Sequence, residues 1–292
     1  MATDRGFIQF LGSGAGDFNG VYTRAPDGKY TTEVSEPDPR DIRQASALYL
    51  APGTLIDFYA PSQLAVHAIP EARVRNLLIT HTHRDHFQPL AIQALAARLP
   101  HPLTAYGSIA VQHALDFAAA YRWDDVAKVF VRHNAAPRIP VRVLPPGDPF
   151  VLDGVTVTPV LANHMIDKQH LNLEQQALNY VIQRAGRTLF YGVDSSYLLP
   201  ATFDLLSSFQ FDIVILDATF GDSEIDPAHS GHQNFAMLDH TIARFRQTHL
   251  LRPGALIVAQ HLYKEIRPHR EVASRLLEKG ITLAYDGLVL AF

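Results

Sequence analysis

A chain of 292 residues that is 47% hydrophobic and 18% charged has material for a large core and too few charges for a disordered or coiled-coil protein. Its formal net charge of −4 argues against nucleic-acid binding by bulk electrostatics, and the absence of cysteine excludes disulfides, thiolate zinc sites and a cysteine nucleophile. The start, MATDRGFIQF, lacks a basic stretch followed by a long apolar run, and no apolar run approaches the roughly 20 residues of a bilayer span. The expectation is therefore a soluble, cytoplasmic protein with one domain over residues 1–292.

Phe7–Gly12 reads as a strand followed by the turn GSGAGDFNG. The stretch from Asp17 to Gln44 is polar and aperiodic, which fits either an active-site lid or a plain surface excursion. SALYLA and TLIDF form a predicted hairpin around Pro52-Gly53, and NLLIT is a short buried strand. Pro89 suits a first helical turn, with Ile92, Leu95 and Leu99 on one face. HPLTAYG is a strand, and an alanine-rich helix covers about Ile109–Tyr121. The middle is strand-rich, with VRVL, PFVL, VTVTPVLA, ALNYVIQ and RTLFYGVD. FDIVILDA, a helix over Asn234–Gln247, the strand ALIVAQ, the helix REVASRLLEKG with a glycine cap, and VLAF complete the chain.

Metal-ligating residue types gather where these strands end. HTHRDH supplies His81, His83, Asp85 and His86 directly after NLLIT. His81 and His83 are two apart, so an extended chain points both the same way, while Asp85 and His86 fall where it can curl back. His164, Asp194 and His261 each follow a later apolar run. Seven imidazole and carboxylate donors suffice for two divalent metals about 3.5–4 Å apart.

HTHRDH also matches the His-x-His-x-Asp-His signature of the metallo-β-lactamase-fold hydrolases, and the order of the later ligands extends that resemblance over almost the whole chain. It implies an α+β protein, an αββα sandwich of two mixed β-sheets flanked by helices. It implies that His81, His83 and His164 hold one metal, that Asp85, His86 and His261 hold the other, and that Asp194 bridges them. Asp57 would orient the histidine loop from behind. Flavodiiron-type members carry Glu where His83 stands, so this residue favours a hydrolase over a redox centre.

DATFGDSEIDPAHSGHQNF, LAYDGLVLAF, FLGSGAG, and Arg43 with Ser46 in IRQASALYL look like the branch of phosphoribosyl cyclic phosphate phosphodiesterases and tRNA 3′-processing nucleases. In that branch a histidine that is not a ligand assists catalysis. His232 matches it, with His229 as a weaker candidate, and His232 also precedes a predicted helix start where N–H groups favour a phosphate oxygen. The cysteine-based structural zinc of the cyclic phosphodiesterases is absent, and no basic arm for tRNA is evident.

The reading is a hydrolase with two divalent metals, zinc or manganese with iron allowed. A bridging hydroxide would attack a small or cyclic phosphodiester, with Asp85, Asp194 and His232 as catalytic residues. The partner would be an anionic small molecule, with neither nucleic acid nor membrane expected and a homodimer left open. Arg84, Lys264 and Arg267 could touch such an anion, although solvated positions are commoner for these residues. A lactonase or thioester hydrolase on the same fold is the alternative, and a non-catalytic metal-dependent binding protein a further one. GSGAG lacks the Lys-Ser/Thr of a phosphate loop, and GVDSS is no nucleophile elbow. His67, His101, His113, His133, His170, His240, His249 and His269 are assigned surface or packing roles.

Overall fold

The computed structural model describes residues 6–16, 23–24, 30–31, 38–132, 138–164, 177–228, 230–263, 266 and 268–292. Much of the 17–44 stretch, and His133, His170, His229, Lys264 and Arg267, lie outside the described residues. The first half contains β1 (Phe7–Gly12), β2 (Thr23–Arg24), β3 (Tyr30–Thr31), β4 (Ala47–Leu50), β5 (Thr54–Ile56), α1 (Pro61–Val66), β6 (Asn76–Leu78) and α2 (Pro89–Arg98). Then come β7 (Thr104–Gly107), α3 (Ile109–Ala120), β8 (Tyr121–Asp124), β9 (Val129–Arg132), β10 (Val141–Val143), β11 (Phe150–Leu152) and β12 (Val155–Leu161). The rest is β13 (Leu178–Arg184), β14 (Arg187–Gly192), α4 (Pro200–Leu206), β15 (Phe211–Asp217), α5 (Phe235–Gln247), β16 (Leu251–Gln260), α6 (His269–Glu278), β17 (Ile281–Leu283) and β18 (Val289–Ala291).

Two seven-stranded mixed sheets form the centre, in the orders β10-β7-β6-β5-β4-β1-β18 and β11-β12-β13-β14-β15-β16-β17. Strand alternation explains the layers. Leu48 and Leu50 of β4 meet Leu189 and Tyr191 of β14 in a core shared by both sheets. Ala47 and Tyr49 point the other way, into a second core with Ile92 and Leu95 of α2 and Val111 and Leu115 of α3. Phe190, on the opposite face from its neighbours, joins Leu238, Ile242 and Phe245 of α5 and Val272 and Leu276 of α6 in a third. The result is the αββα sandwich, an α+β architecture.

The sheets are also sewn together by hydrogen bonds at one edge. Leu178 N donates to Thr80 O at 2.8 Å, and the Tyr180 hydroxyl donates to Ile79 O at 2.6 Å. Pro159 sits inside β12 without breaking the sheet, because β11 pairs only as far as Val157 and the flank beside Pro159 lies beyond it.

Most expected elements are present within a residue or two. Asn234 caps α5 by accepting from Met237 N at 2.9 Å, and Gly280, with φ 76°, follows α6. The short β2 and β3, α1, α4, β17 and the β8–β9 hairpin have no counterpart among the elements expected from the sequence. That hairpin leaves Trp123 and Phe130 43% and 52% exposed, so it carries no buried alternation to signal it. No described helix is long and apolar enough to cross a membrane.

Candidate metal centre

Strand ends deliver the predicted ligands to the edge where the sheets are sewn. Beyond β6 the chain passes through His81 and then turns, with His86 N and Phe87 N both donating to His83 O at 3.1 and 2.9 Å. That turn brings Asp85 and His86 back toward the strand. Asp57, Asp194 and His261 follow β5, β14 and β16 and have φ of 61°, 53° and 65°. Left-handed backbone at a non-glycine residue is unfavourable and concentrates at functional sites, where surrounding contacts impose it. Here each kink swings a side chain across the end of the sheets.

Three groups of donors result, each with one atom per residue within 4.8 Å of the others. They are His81, His83, His164 and Asp194; Asp85, His86 and His261; and Asp194, Asp217, His232 and His261. Asp194 stands between the first two. Its Oδ2 lies 3.4 Å from His81 Nε2, 3.6 Å from His164 Nε2 and 3.2 Å from His86 Nε2, and its Oδ1 lies 3.0 Å from His261 Nε2. Asp85 Oδ2 is 3.6 Å from His86 Nε2 and 3.5 Å from His261 Nε2. His81, His86, Asp194 and His261 are buried and the His164 side chain nearly so, whereas His83, Asp85 and His232 are half-buried and form the open side.

Most of these rings are fixed through the nitrogen that faces away. His86 Nδ1 is 2.7 Å from Asp57 Oδ2. His81 Nδ1 is 3.0 Å from the Thr80 hydroxyl, which donates to Asp57 Oδ2 at 2.8 Å. His164 Nδ1 is 2.8 Å from Gly231 O, and His261 Nδ1 is 2.8 Å from the Thr219 hydroxyl. Such partners set the tautomer and leave the inward nitrogen as a lone pair. Two atoms on the inner side, His81 Nε2 and Asp194 Oδ1, are buried without a hydrogen-bond partner among the described residues. The 3.0 Å contact of Asp194 Oδ1 with His261 lacks hydrogen-bond geometry. Orphaned buried acceptors are costly in an apoprotein and fit a bound cation. The donor set, imidazole and carboxylate without thiolate, suits divalent transition metals.

Charge follows the same geometry. Burial disfavours charge on His86, but Asp194, Asp85 and Asp57 outweigh it and hold its pKa well above the usual value. Burial, reinforced by His86 and His164, drives His81 well below it, and burial takes His164 down to about 4. Burial opposes ionisation of Asp194, yet His261 and His86 beside it win and keep it a carboxylate.

His232 sits against the cluster, its ring 4.7 Å from that of His164 and 5.4 Å from that of His261. Its orientation comes from Asp217, a residue given no role in the sequence reading, whose Oδ2 lies 2.9 Å from His232 Nδ1. Burial opposes a proton on His232, but the Asp217 carboxylate raises its pKa to about 9. Asp217 also accepts from Asp194 N, Thr219 N, the Thr219 hydroxyl and Gln233 N. The N–H groups expected to be free at the helix start beside His232 are largely taken. Phe235 N is taken by Gly221 O and Met237 N by Asn234 Oδ1, so the beginning of α5 has little left to offer an anion.

The remaining described histidines stand apart from the cluster. His67 and His101 contact the carbonyls of Leu11 and Ala72, His240 packs on Tyr197, and His269 is buried beside Arg43. Arg43 and Ser46 lie behind the site, Ser46 accepting from Gln260 Nε2 at 2.8 Å. Arg84 is exposed on the histidine loop.

The family model of the beta-lactamase superfamily domain matches residues 53–261. The chain is similar to the solved structure of a new diphosphatase from the PhnP family, with 19% identity, 99% of this chain and 98% of that chain covered, and a TM-score of 0.68. It is similar to zinc-bound PqqB from Methylobacterium extorquens, with 16% identity, coverage of 98% and 100%, and a TM-score of 0.66. Human tRNase Z, short form, is similar with 19% identity, coverage of 98% and 98%, and a TM-score of 0.62. At these identities the likeness is one of fold. No curated protein matches in sequence.

Proposed function

The chain belongs to the beta-lactamase superfamily, and from that premise we propose that it is a metal-dependent hydrolase of a small or cyclic phosphodiester. The observation that carries this reading is the Asp194 carboxylate standing between the His81–His83–His164 and Asp85–His86–His261 donors, with the His232–Asp217 pair beside them. His81, His83 and His164 would hold one divalent ion, zinc or manganese, and Asp85, His86 and His261 the other, with Asp194 reaching both. Bound there, two such ions would activate water and neutralise the charge developing on the substrate.

The protein's own groups supply the rest. The half-buried His83, Asp85 and His232 are the members of the cluster that a substrate would meet first. His232, protonated through its contact with Asp217, donates to the departing alkoxide, and Asp217 holds the ring by Nδ1 so that Nε2 carries the transferable proton. A phosphodiester needs that proton because its leaving group is a poor one. The diphosphatase and the tRNase that share this fold are both named for cleavage at phosphorus, the first of a diphosphate and the second of RNA.

The test is turnover of bis(p-nitrophenyl) phosphate by the metal-loaded protein, with Asp194→Ala as control. Turnover that disappears in the control is expected. If the wild-type protein with two metals bound ignores this substrate and opens lactones or thioesters instead, the carbonyl chemistry replaces the phosphodiester reading.

A further inference from the structure

The turn that follows β1 lies against one half of the centre. Gly16 N donates to Asp85 Oδ2 at 2.8 Å. Ser13 O accepts from His261 N at 3.0 Å and from Leu262 N at 3.2 Å, and Ala15 N returns a bond to Leu262 O at 2.9 Å. These bonds pin His261 in its left-handed conformation. The turn thus orients the Asp85 carboxylate directly and the His261 ring through its backbone.

What holds the turn comes from the far end of the chain. Asp286 Oδ1 accepts from Ser13 N and the Ser13 hydroxyl, both at 2.8 Å, and Oδ2 accepts from Gln44 N at 2.7 Å. Gly14 N donates to Gln44 O at 3.0 Å. Arg43 closes the ring, donating to Ser13 Oγ at 3.1 Å and to Ala284 O at 2.7 Å. One carboxylate therefore fastens the Ser13 turn and the Arg43–Gln44 segment together. The other half has different supports, with His81 held by Thr80 and His164 by Gly231 O.

We infer that Asp286 is a positioning residue for the Asp85–His86–His261 half of the centre and not for the His81–His83–His164 half, so that the Ser13 turn tunes one metal affinity without the other. The inference rests on the two-metal reading above. In Asp286→Asn the amide still accepts from Ser13 but presents N–H to Gln44 N–H, which loosens one side of the clasp.

The experiment titrates the metal-free full chain with Zn²⁺ alone against a competing chelator, with Co²⁺ absorption as a report of ligand geometry. Wild type should take two ions. Asp286→Asn should keep one at wild-type affinity and bind the second about 10–100-fold more weakly, the usual effect of removing a support behind a ligand. Two unchanged sites would overturn the inference, and so would equal weakening of both, which is the mark of a general structural role. If Asp286→Asn does not fold, Ser13→Ala removes only the hydroxyl link and faces the same criteria. Fewer than two ions on the wild-type chain would instead overturn the two-metal reading itself.

Discussion

Asp57 and Asp217 do the same work on opposite sides of the centre. Each is fully buried at the end of a strand, accepts from both the N–H and the hydroxyl of a threonine, and through that threonine reaches one clustered histidine. Asp57 reaches His81 through Thr80 and Asp217 reaches His261 through Thr219. Each also holds a second histidine directly, Asp57 taking His86 and Asp217 taking His232. Asp217→Asn should therefore lower kcat by about 10–100-fold while leaving the His81–His83–His164 half loaded. His232→Ala should lose about 10²–10⁴ in kcat on a phosphodiester with an alkoxide leaving group, with metal content unchanged, as measured by steady-state kinetics beside metal analysis. Equal loss of metal and turnover in the latter would remove His232 from proton transfer. The ligands were legible because they follow apolar runs in a known order. Asp217 was not, because its partners at 194, 219, 232 and 233 meet it only after folding. The available signal was an aspartate closing FDIVILD, as Asp57 follows TLI.

Strands were legible where burial makes a short apolar run and obscure where it does not. β4 and β14 announce themselves because both their faces are buried, while β8 and β9 face solvent and the three-residue β17 is too short to show a pattern. No periodicity could have revealed the bonds from β13 to the chain just past β6, on which the placing of His81 depends. Tyr180 is fully buried, and its hydroxyl carries one of those bonds. Tyr180→Phe preserves the packing and strands the Ile79 carbonyl, so it should lower stability by roughly 1–3 kcal/mol in urea unfolding. A neutral substitution would mean that water or a shifted carbonyl replaces the hydroxyl and that the Leu178–Thr80 bond alone joins the sheets there.

Across the whole molecule, residues 38–46, the start of α6 and the loop after β17 are joined around Arg43 and His269. His269 Nδ1 lies 3.0 Å from Arg43 Nη2, and its backbone N–H is accepted by Asp41. A guanidinium only donates, so Nδ1 must be the acceptor and carry no proton. Burial, with Arg43 and Arg40 nearby, accordingly lowers the pKa of His269 from 6.5 to about 4, against the weaker pull of Asp38 and Asp41. Arg43 itself falls only to about 10, again through burial, and stays charged throughout this range. Because the folded pKa is depressed, the unfolded chain binds the proton first as pH falls. The stabilisation is full above about pH 6.5 and is lost toward pH 4, amounting to about 2–3 kcal/mol by pH 4.5. His269→Gln keeps an acceptor for Arg43 and cannot titrate. Urea unfolding of both metal-free proteins at about pH 7.5 and 4.5 should show wild type losing that much more than the variant. Subtracting the variant removes the acid response of the clustered histidines, which the two proteins share. Parallel losses would mean that Arg43 releases His269 on acidification, and that the chain ends are held by Asp286 without it.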